Sequence, residues 1–367
     1  MNDQEQRVIL ALSKVIDPEL RFPITELNMV GNTSASDSSV SVEIKLTVSH
    51  CPQADYLEHS VREVLEKEFQ DQEITVQMNV MSKDELDALK LKLRGNKAPR
   101  SNPFGPGSST RVILVGSGKG GVGKSTLTSN LAVELAQRGF RVGLIDADIF
   151  GFSITNQLGI TSRPTRLDDL MLPPIAFGVQ VISIGMFLDG NEPVSWRGPM
   201  LHKAIEQFLT DVYWDDLDFL LIDMPPGTGD VAISIGQLLP NAKALVVTTP
   251  QQAASLVAVR SGLAAKNASH EIIGVIENMS WLENPDGSKS YLFGKGGGQE
   301  VASTLGTELL SQIPLSPELS ASSDKGVPLI LSEYPDAAGL AIKELANKLT
   351  ETKLPKSNRT LNVKLGS

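Results

Sequence analysis

The run Ser117-Gly118-Lys119-Gly120-Gly121-Val122-Gly123-Lys124-Ser125-Thr126 concentrates four glycines and two lysines in ten residues. Its frame, Gly118 through Gly123-Lys124-Ser125, satisfies the G-x-x-x-x-G-K-[ST] spacing of a phosphate-binding loop, and a β-rich run, Val112-Ile-Leu-Val115, leads into it. Glycines allow successive backbone N–H groups to converge on phosphate oxygens. A helix starting near Lys124 aims the positive end of its dipole at the same place. In this template Lys124 reaches the β and γ oxygens of a nucleotide and the Ser125 hydroxyl holds Mg²⁺. Lys119 has no role in the template. It is either a solvated loop residue or a second cation reserved for phosphates, including those of a facing subunit.

Two acidic segments belong with such a loop. Asp146-Ala-Asp148-Ile-Phe-Gly151 follows the apolar run Val142 to Ile145 and sets two carboxylates at alternate positions. A carboxylate there can orient a water for attack on the γ-phosphorus or hold Mg²⁺ through water; the plainer reading has Asp146 cap the next element. Asp223-Met-Pro-Pro-Gly-Thr-Gly-Asp230 follows a second apolar run, Phe219 to Ile222. A carboxylate at the end of a buried strand needs a cation or hydrogen bonds, so Asp223 is expected to bind the magnesium through water. Pro225-Pro226-Gly227 reads as a turn that moves when the γ-phosphate leaves, with the Gly227 N–H as its sensor. Together these segments predict hydrolysis of Mg-ATP or Mg-GTP.

The elements that must position these residues show in the hydropathy pattern. Short runs apolar on both faces, Val112 to Val115, Val142 to Ile145, Val179 to Ile184, Phe219 to Ile222, Ala244 to Thr248 and Ile272 to Ile276, alternate with helical stretches. They predict an α/β unit: a mostly parallel sheet covered by helices on both faces, with its ligand at the carboxyl ends of the strands. Residues 1–94 read as a small α+β domain. Val40 to Val48 alternates strictly, and a helix carrying Leu57, Val61, Val64, Leu65 and Phe69 follows. A second alternating strand runs from Ile74 to Val80, and Val8 to Ile16 has helical spacing. Residues 95–110, rich in Pro, Gly and Ser, read as a flexible linker, 111–352 as the nucleotide-binding domain, and 353–367 as a mobile tail.

With 367 residues there is room for two cores. The net charge of −10 disfavours nucleic acid and anionic lipid as partners. No apolar run approaches the roughly 18 residues of a membrane span, and the polar first residues lack the plan of a secretion signal, so a cytoplasmic location is expected.

The loop with its early lysine is similar to the deviant phosphate loop of the nitrogenase iron protein and septum-site or partition ATPase superfamily. Asp146-Ala-Asp-Ile-Phe-Gly151, Trp196-Arg-Gly-Pro-Met200, Asp223-Met-Pro-Pro-Gly-Thr-Gly-Asp230, Glu277-Asn-Met-Ser280 and Phe293-Gly-Lys-Gly-Gly-Gly298 resemble the Mrp/NBP35 family of ApbC-type iron–sulfur cluster carriers. Val15-Ile-Asp-Pro-Glu-Leu20 and Leu46-Thr-Val-Ser-His-Cys-Pro52 resemble the MIP18-like domain often fused in front of bacterial members. The resemblance implies a phosphate-loop ATPase working as a homodimer, Lys119 contributing in trans, Asp148 near the attacking water and Asn278 reading the adenine. Its implied partners are apo iron–sulfur proteins or assembly factors.

The chain departs from that family at one place. A Cys-x-x-Cys stands between the Asn-Met-Ser and Phe-Gly segments of typical members, whereas here Trp281 to Leu292 contains no cysteine and Asn284-Pro-Asp-Gly287 has the chemistry of a β-turn. Iron–sulfur clusters normally take four thiolates. The only cysteine is Cys51, so a dimer owns two. Cys51 supplies part of a transient cluster site with His50 or an external thiol, or is a reactive thiol without metal, or is a small packing residue. His50, His59, His202 and His270 show no metal-ligand spacing among themselves. Trp196 and Arg197 either dock a partner or anchor a helix spanning Leu201 to Val212. Two functions remain in view, a nucleotide-driven cluster carrier and a metal-independent ATPase chaperone or adaptor. A membrane- or DNA-positioning switch fits less well, because Leu354 to Ser367 has no amphipathic anchor.

Overall fold

The computed structural model describes residues 3–49, 51–94, 101–149, 151–188, 198–227 and 229–351. His50, Trp196, Arg197 and the tail after residue 351 lie outside the described residues, and with them the roles the sequence suggested there. The chain divides into two compact units. The first comprises Met1–Ser101, Ser162–Ile175 and Thr210–Trp214, the second Asn102–Thr161, Ala176–Leu209 and Asp215–Ser367.

In the first unit α1 (Asp3–Leu12), β1 (Val30–Ala35), β2 (Ser39–Leu46), α2 (Ala54–Glu68), β3 (Glu73–Val80) and α3 (Lys83–Arg94) follow one another. The sheet order is β1-β2-β3, with β1 antiparallel and β3 parallel to β2. The strict alternation of β2 works as its pattern requires: Val40, Val42, Ile44 and Leu46 are buried. They meet Leu57, Val61 and Leu65 of α2 and Val8, Ala11 and Leu12 of α1 in one core. α1 stops four residues short of the predicted Ile16. Asp17 Oδ1 accepts from the amides of Glu19 and Leu20 at 2.9 and 2.8 Å, a side-chain turn that competes with helix. Val15 instead accepts from Ile24 N at 3.0 Å.

Next come β4 (Arg111–Ser117), α4 (Lys124–Gln137), β5 (Val142–Asp146), α5 (Ile154–Gln157), the hairpin β6 (Thr165–Leu167) and β7 (Leu170–Leu172), then β8 (Ile175–Ala176) and β9 (Val179–Ser183). After them run α6 (Gly198–Thr210), β10 (Phe219–Asp223), α7 (Asp230–Leu238), β11 (Lys243–Thr248), α8 (Gln252–Asn267), β12 (Glu271–Asn278), the hairpin β13 (Leu282–Glu283) and β14 (Lys289–Ser290), α9 (Gly297–Leu305), β15 (Leu309–Ile313), α10 (Pro317–Asp324) and α11 (Ala337–Glu351). The large sheet has the order β15-β12-β11-β4-β10-β5-β9-β8, and the seven strands from β15 to β9 are mutually parallel. The expected α/β architecture with an apolar-through sheet is present: every residue of β5, β9 and β10 is buried.

Three further features differ from the sequence reading. The β6–β7 hairpin groups with the first unit, whose core Leu167, Leu170 and Leu172 enter. There Asp168 accepts from Lys90 Nζ at 2.6 Å and Asp169 pairs with Arg94 at 2.8 Å. Residues 102–110, part of the expected flexible linker at 95–110, are fastened within the second unit. Phe104 is 4% exposed, Asn102 Nδ2 donates to Leu238 O and Thr110 Oγ1 to Leu217 O. An aromatic side chain supplies the burial that composition alone hides. β15 was not foreseen because its residues are mostly half-exposed and give no period. Among the described residues no helix is long and apolar enough to cross a membrane.

Candidate functional site

Register brings the acidic strand ends together. Asp223 lies opposite Val115 of β4 on one side and Asp146 of β5 on the other, and Asp146 lies opposite Ser183 of β9. The loop of residues 118–123 leaves β4 in the same layer and turns into α4. Gly121 and Gly123 stand at φ +78° and +81°, where a side chain would be strained. Gly118 is needed for a different reason: a Cβ there would lie 2.3 Å from the Val257 carbonyl carbon of α8. At Gly120 and Gly121 an added Cβ would meet nothing within 4 Å.

Lys124 and Asp223, 6% and 0% exposed, form a buried pair with Nζ 2.6 Å from Oδ2. Ser125 Oγ donates to the same oxygen at 2.6 Å, and Thr128 Oγ1 to Oδ1 at 3.0 Å. The carboxylate thus gathers a cation and two hydroxyls, and with Ser125 it offers the hard oxygen donors that Mg²⁺ takes. Asp148 comes within 3.8 Å of Lys124 Nζ and, unlike Asp146, lines the cavity beside the loop. That cavity, about 610 Å³, is bounded by the loop, Ile149, Leu201, Pro225 and Pro226.

Asp146 is fully buried and works inward. It accepts from Asp148 N at 3.2 Å, Ile154 N at 3.3 Å and Ser183 Oγ at 3.1 Å, so it shapes the turn that presents Asp148. Burial, and then the neighbouring Asp223 charge, push its carboxyl up to about 7 against the pull of the Asp148 amide and Lys124. Gly227, at φ +93°, donates its N–H to Ser117 O at 2.8 Å. Asn278 donates Nδ2 to Val122 O at 2.9 Å beneath the loop and also lines a second cavity of about 660 Å³ that Gly123, Thr126, Pro314, Leu315 and Ser316 share. Lys119 Nζ donates to Gln251 Oε1 at 3.1 Å in its own chain.

Cys51 lies in the other unit. It packs half-buried against the first core, and burial pushes its thiol up to about 11, with Glu19 and Asp17 adding to the rise. The segment 281–292 forms the β13–β14 hairpin, closed as the Asn284–Gly287 turn chemistry predicts by Gly287 N to Asn284 O at 2.9 Å. No group of three or more His, Cys, Asp and Glu side chains is placed to hold a metal ion among the described residues. Buried His270 bonds the Leu239 carbonyl.

Sequence reasoning missed Thr128, Gln251 and Glu277. Thr128 lies one turn after Lys124 on α4, a spacing that could have revealed it. Glu277 accepts from Gly298 N at 2.6 Å and Gln312 Nε2 at 2.8 Å, and Gln251 holds Lys119; neither carries a signal in a single chain.

Comparison with known proteins agrees with this geometry. The family described as NUBPL iron-transfer P-loop NTPase matches residues 108–350, and one described as iron-sulfur cluster assembly protein matches residues 5–76. An iron-sulfur cluster carrier protein of Mycobacterium bovis is 50% identical over 356 residues, covering 95% of this chain and 93% of its own. One of Deinococcus radiodurans is 38% identical over 352 residues, covering 95% of both. A nucleotide-binding protein of Archaeoglobus fulgidus in complex with ADP is similar at 36% identity and a TM-score of 0.51, over 59% of this chain and 86% of that one. The cell division ATPase MinD of Pyrococcus furiosus, 23% identical with a TM-score of 0.50 over 66% and 99%, shares the fold. A nucleotide site on such a sheet, matched over most of the chain, makes this protein a member of the NUBPL iron-transfer P-loop NTPase family, with an iron–sulfur cluster assembly domain in front.

Proposed function

We propose that this chain is a dimeric, ATP-hydrolysing iron–sulfur cluster carrier that delivers clusters to apoproteins in the reducing cytoplasm, where thiols persist. The observation that carries the ATPase half is the convergence of Lys124, Ser125, Asp148 and Asp223 on one cavity at the strand ends. Lys124 exchanges Asp223 for the β and γ oxygens of ATP. Asp148 accepts a hydrogen bond from the attacking water and aligns it with the γ-phosphorus; the bond to the β–γ bridging oxygen breaks, giving ADP and phosphate. Ser125, and Asp223 through water, would hold magnesium, which would supply neutralisation of charge on the phosphate oxygens. Gly227 exchanges Ser117 O for the γ-phosphate, so hydrolysis moves the Pro225-Pro226 turn. Asn278, at the rim of the second cavity, reads the adenine edge with an amide that donates and accepts. Lys119 completes the site of the facing copy.

The cargo half rests on family membership, and the donor set qualifies it. One protonated, half-buried thiol per chain does not ligate a cluster as it stands. The carrier must therefore borrow ligands from a client or external thiols, with Cys51 contributing as a thiolate. A cysteine-free hairpin at 281–292 favours the second reading, a metal-independent ATPase adaptor. Anaerobic reconstitution with ferrous iron and sulfide decides between them. Charge-transfer absorption that transfers to an apo-acceptor and falls on Cys51→Ser supports the carrier. Full ATP turnover with no chromophore refutes it in favour of the adaptor.

A further inference from the structure

The bond between Lys119 and Gln251 is placed where a dimerising ATPase would keep a brake. Lys119 is fixed at both ends of its residue: Ser117 Oγ donates to its carbonyl at 3.0 Å, and Gly118 before it lies against the α8 backbone. Only the terminal ammonium is held by a single exchangeable contact, Gln251 Oε1 at 3.1 Å. The backbone of Gln251 is anchored. This residue stands at the start of α8, and its carbonyl accepts from Ala254 N at 2.9 Å and Ser255 N at 3.0 Å. Its side chain makes no helix cap, so the amide is not needed for the helix. Gly297, whose added Cβ would lie 2.6 Å from Pro250 O, packs against the residue preceding Gln251.

The geometry points to Gln251 as a latch that holds Lys119 in its own subunit, so that the ammonium must be released before it can reach the phosphates of a second copy of this chain. The inference rests on the proposed trans role of Lys119. A latch closed most of the time lowers the apparent affinity of dimerisation by the fraction of chains with Lys119 free. Weakened by solvent screening at a half-exposed site, the hydrogen bond to the ammonium keeps roughly three to ten latched chains for each free one.

The test is the protein-concentration dependence of ATP turnover per chain, with dimerisation followed in parallel by sedimentation in a non-hydrolysable ATP analogue. Gln251→Leu should shift the half-maximal concentration down by about three- to tenfold. Gln251→Glu, which turns the contact into an ion pair, should shift it up by a similar factor. ATP affinity below the dimerising concentration should stay within about twofold in both. A purely structural role for Gln251 would move both variants in one direction. Shifts of the same sign, or none in either, overturn the latch. In a Lys119→Ala background the two substitutions should have no effect. If Lys119→Ala itself leaves turnover intact, the trans reading fails. If Lys119→Ala suppresses turnover while the Gln251 variants match wild type, only the latch fails.

Discussion

Without nucleotide, the lysine of the phosphate loop has a structural job, and Lys124→Met exposes it. The substitution keeps the aliphatic stem and removes the charge, leaving the Asp223 carboxylate, 0% exposed, without its cation at 2.6 Å. Breaking a buried pair by removing one member costs about 3–5 kcal/mol. Asp223 keeps the Ser125 and Thr128 hydroxyls at 2.6 and 3.0 Å, which places the loss near the lower end, about 3 kcal/mol. For a unit of this size each kcal/mol is about 2–4 °C in melting temperature, so a fall of about 6–12 °C is expected. Calorimetry of nucleotide-free protein in chelator, on Lys124→Met, Asp223→Asn and the double variant, measures it. The double variant should recover part of the loss, because it leaves neither charge buried alone. A melting temperature of Lys124→Met unchanged within about 1 °C would refute the reasoning, since it would mean that the pair contributes under about 0.5 kcal/mol.

Asp146→Asn should change sign with pH. An acid held at about 7 in the folded chain and near 3.8 when unfolded loses stability as pH rises through that window, because the unfolded chain gives up its proton first. At pH 8 the ionised form costs about 4 kcal/mol, while asparagine leaves the Ile154 amide without an acceptor at about 1–3 kcal/mol; the variant should be the more stable there and the less stable at pH 3, where the acid is largely protonated in both states, in denaturant titrations. The same sign at both pH values would contradict this account. With its thiol near 11 rather than 9, Cys51 should react with iodoacetamide at pH 8 about 100-fold more slowly than a free cysteine, read by mass spectrometry. Asn278→Ala removes the tie to Val122 O and should weaken ATP about fivefold by calorimetric titration, and an unchanged affinity would rule out that support.

The parts legible in the sequence were those whose chemistry fixes a spacing. Lys124, Ser125 and Asp148 follow from motifs one strand or one turn long, and the apolar runs at Val142 and Phe219 announce buried parallel strands because both faces are covered. The turn at Asn284–Gly287 was readable from its residue types. What stayed hidden depends on partners distant in sequence. Gln251 meets Lys119 across 132 positions and Glu277 meets Gly298 across 21, with no period to mark either. The inward role of Asp146 follows from strand register, which only the sheet order supplies. The end of α1 was set by the Asp17 side-chain turn overriding an apolar stripe.

The first unit takes Leu167, Leu170 and Leu172, at 0%, 4% and 1% exposure, into a core otherwise built from residues 8–89. A ribosome delivers those leucines only after β4, the phosphate loop and β5 have emerged. At the rate of synthesis, roughly 5–20 residues per second, the N-terminal domain waits several seconds with a gap in its core. Truncating the chain at residue 101 would make that gap permanent, and a fragment of residues 102–367 would carry the three leucines without the core that buries them. The two units are therefore one unit of biosynthesis, and this chain is best dissected by point substitution rather than by cutting.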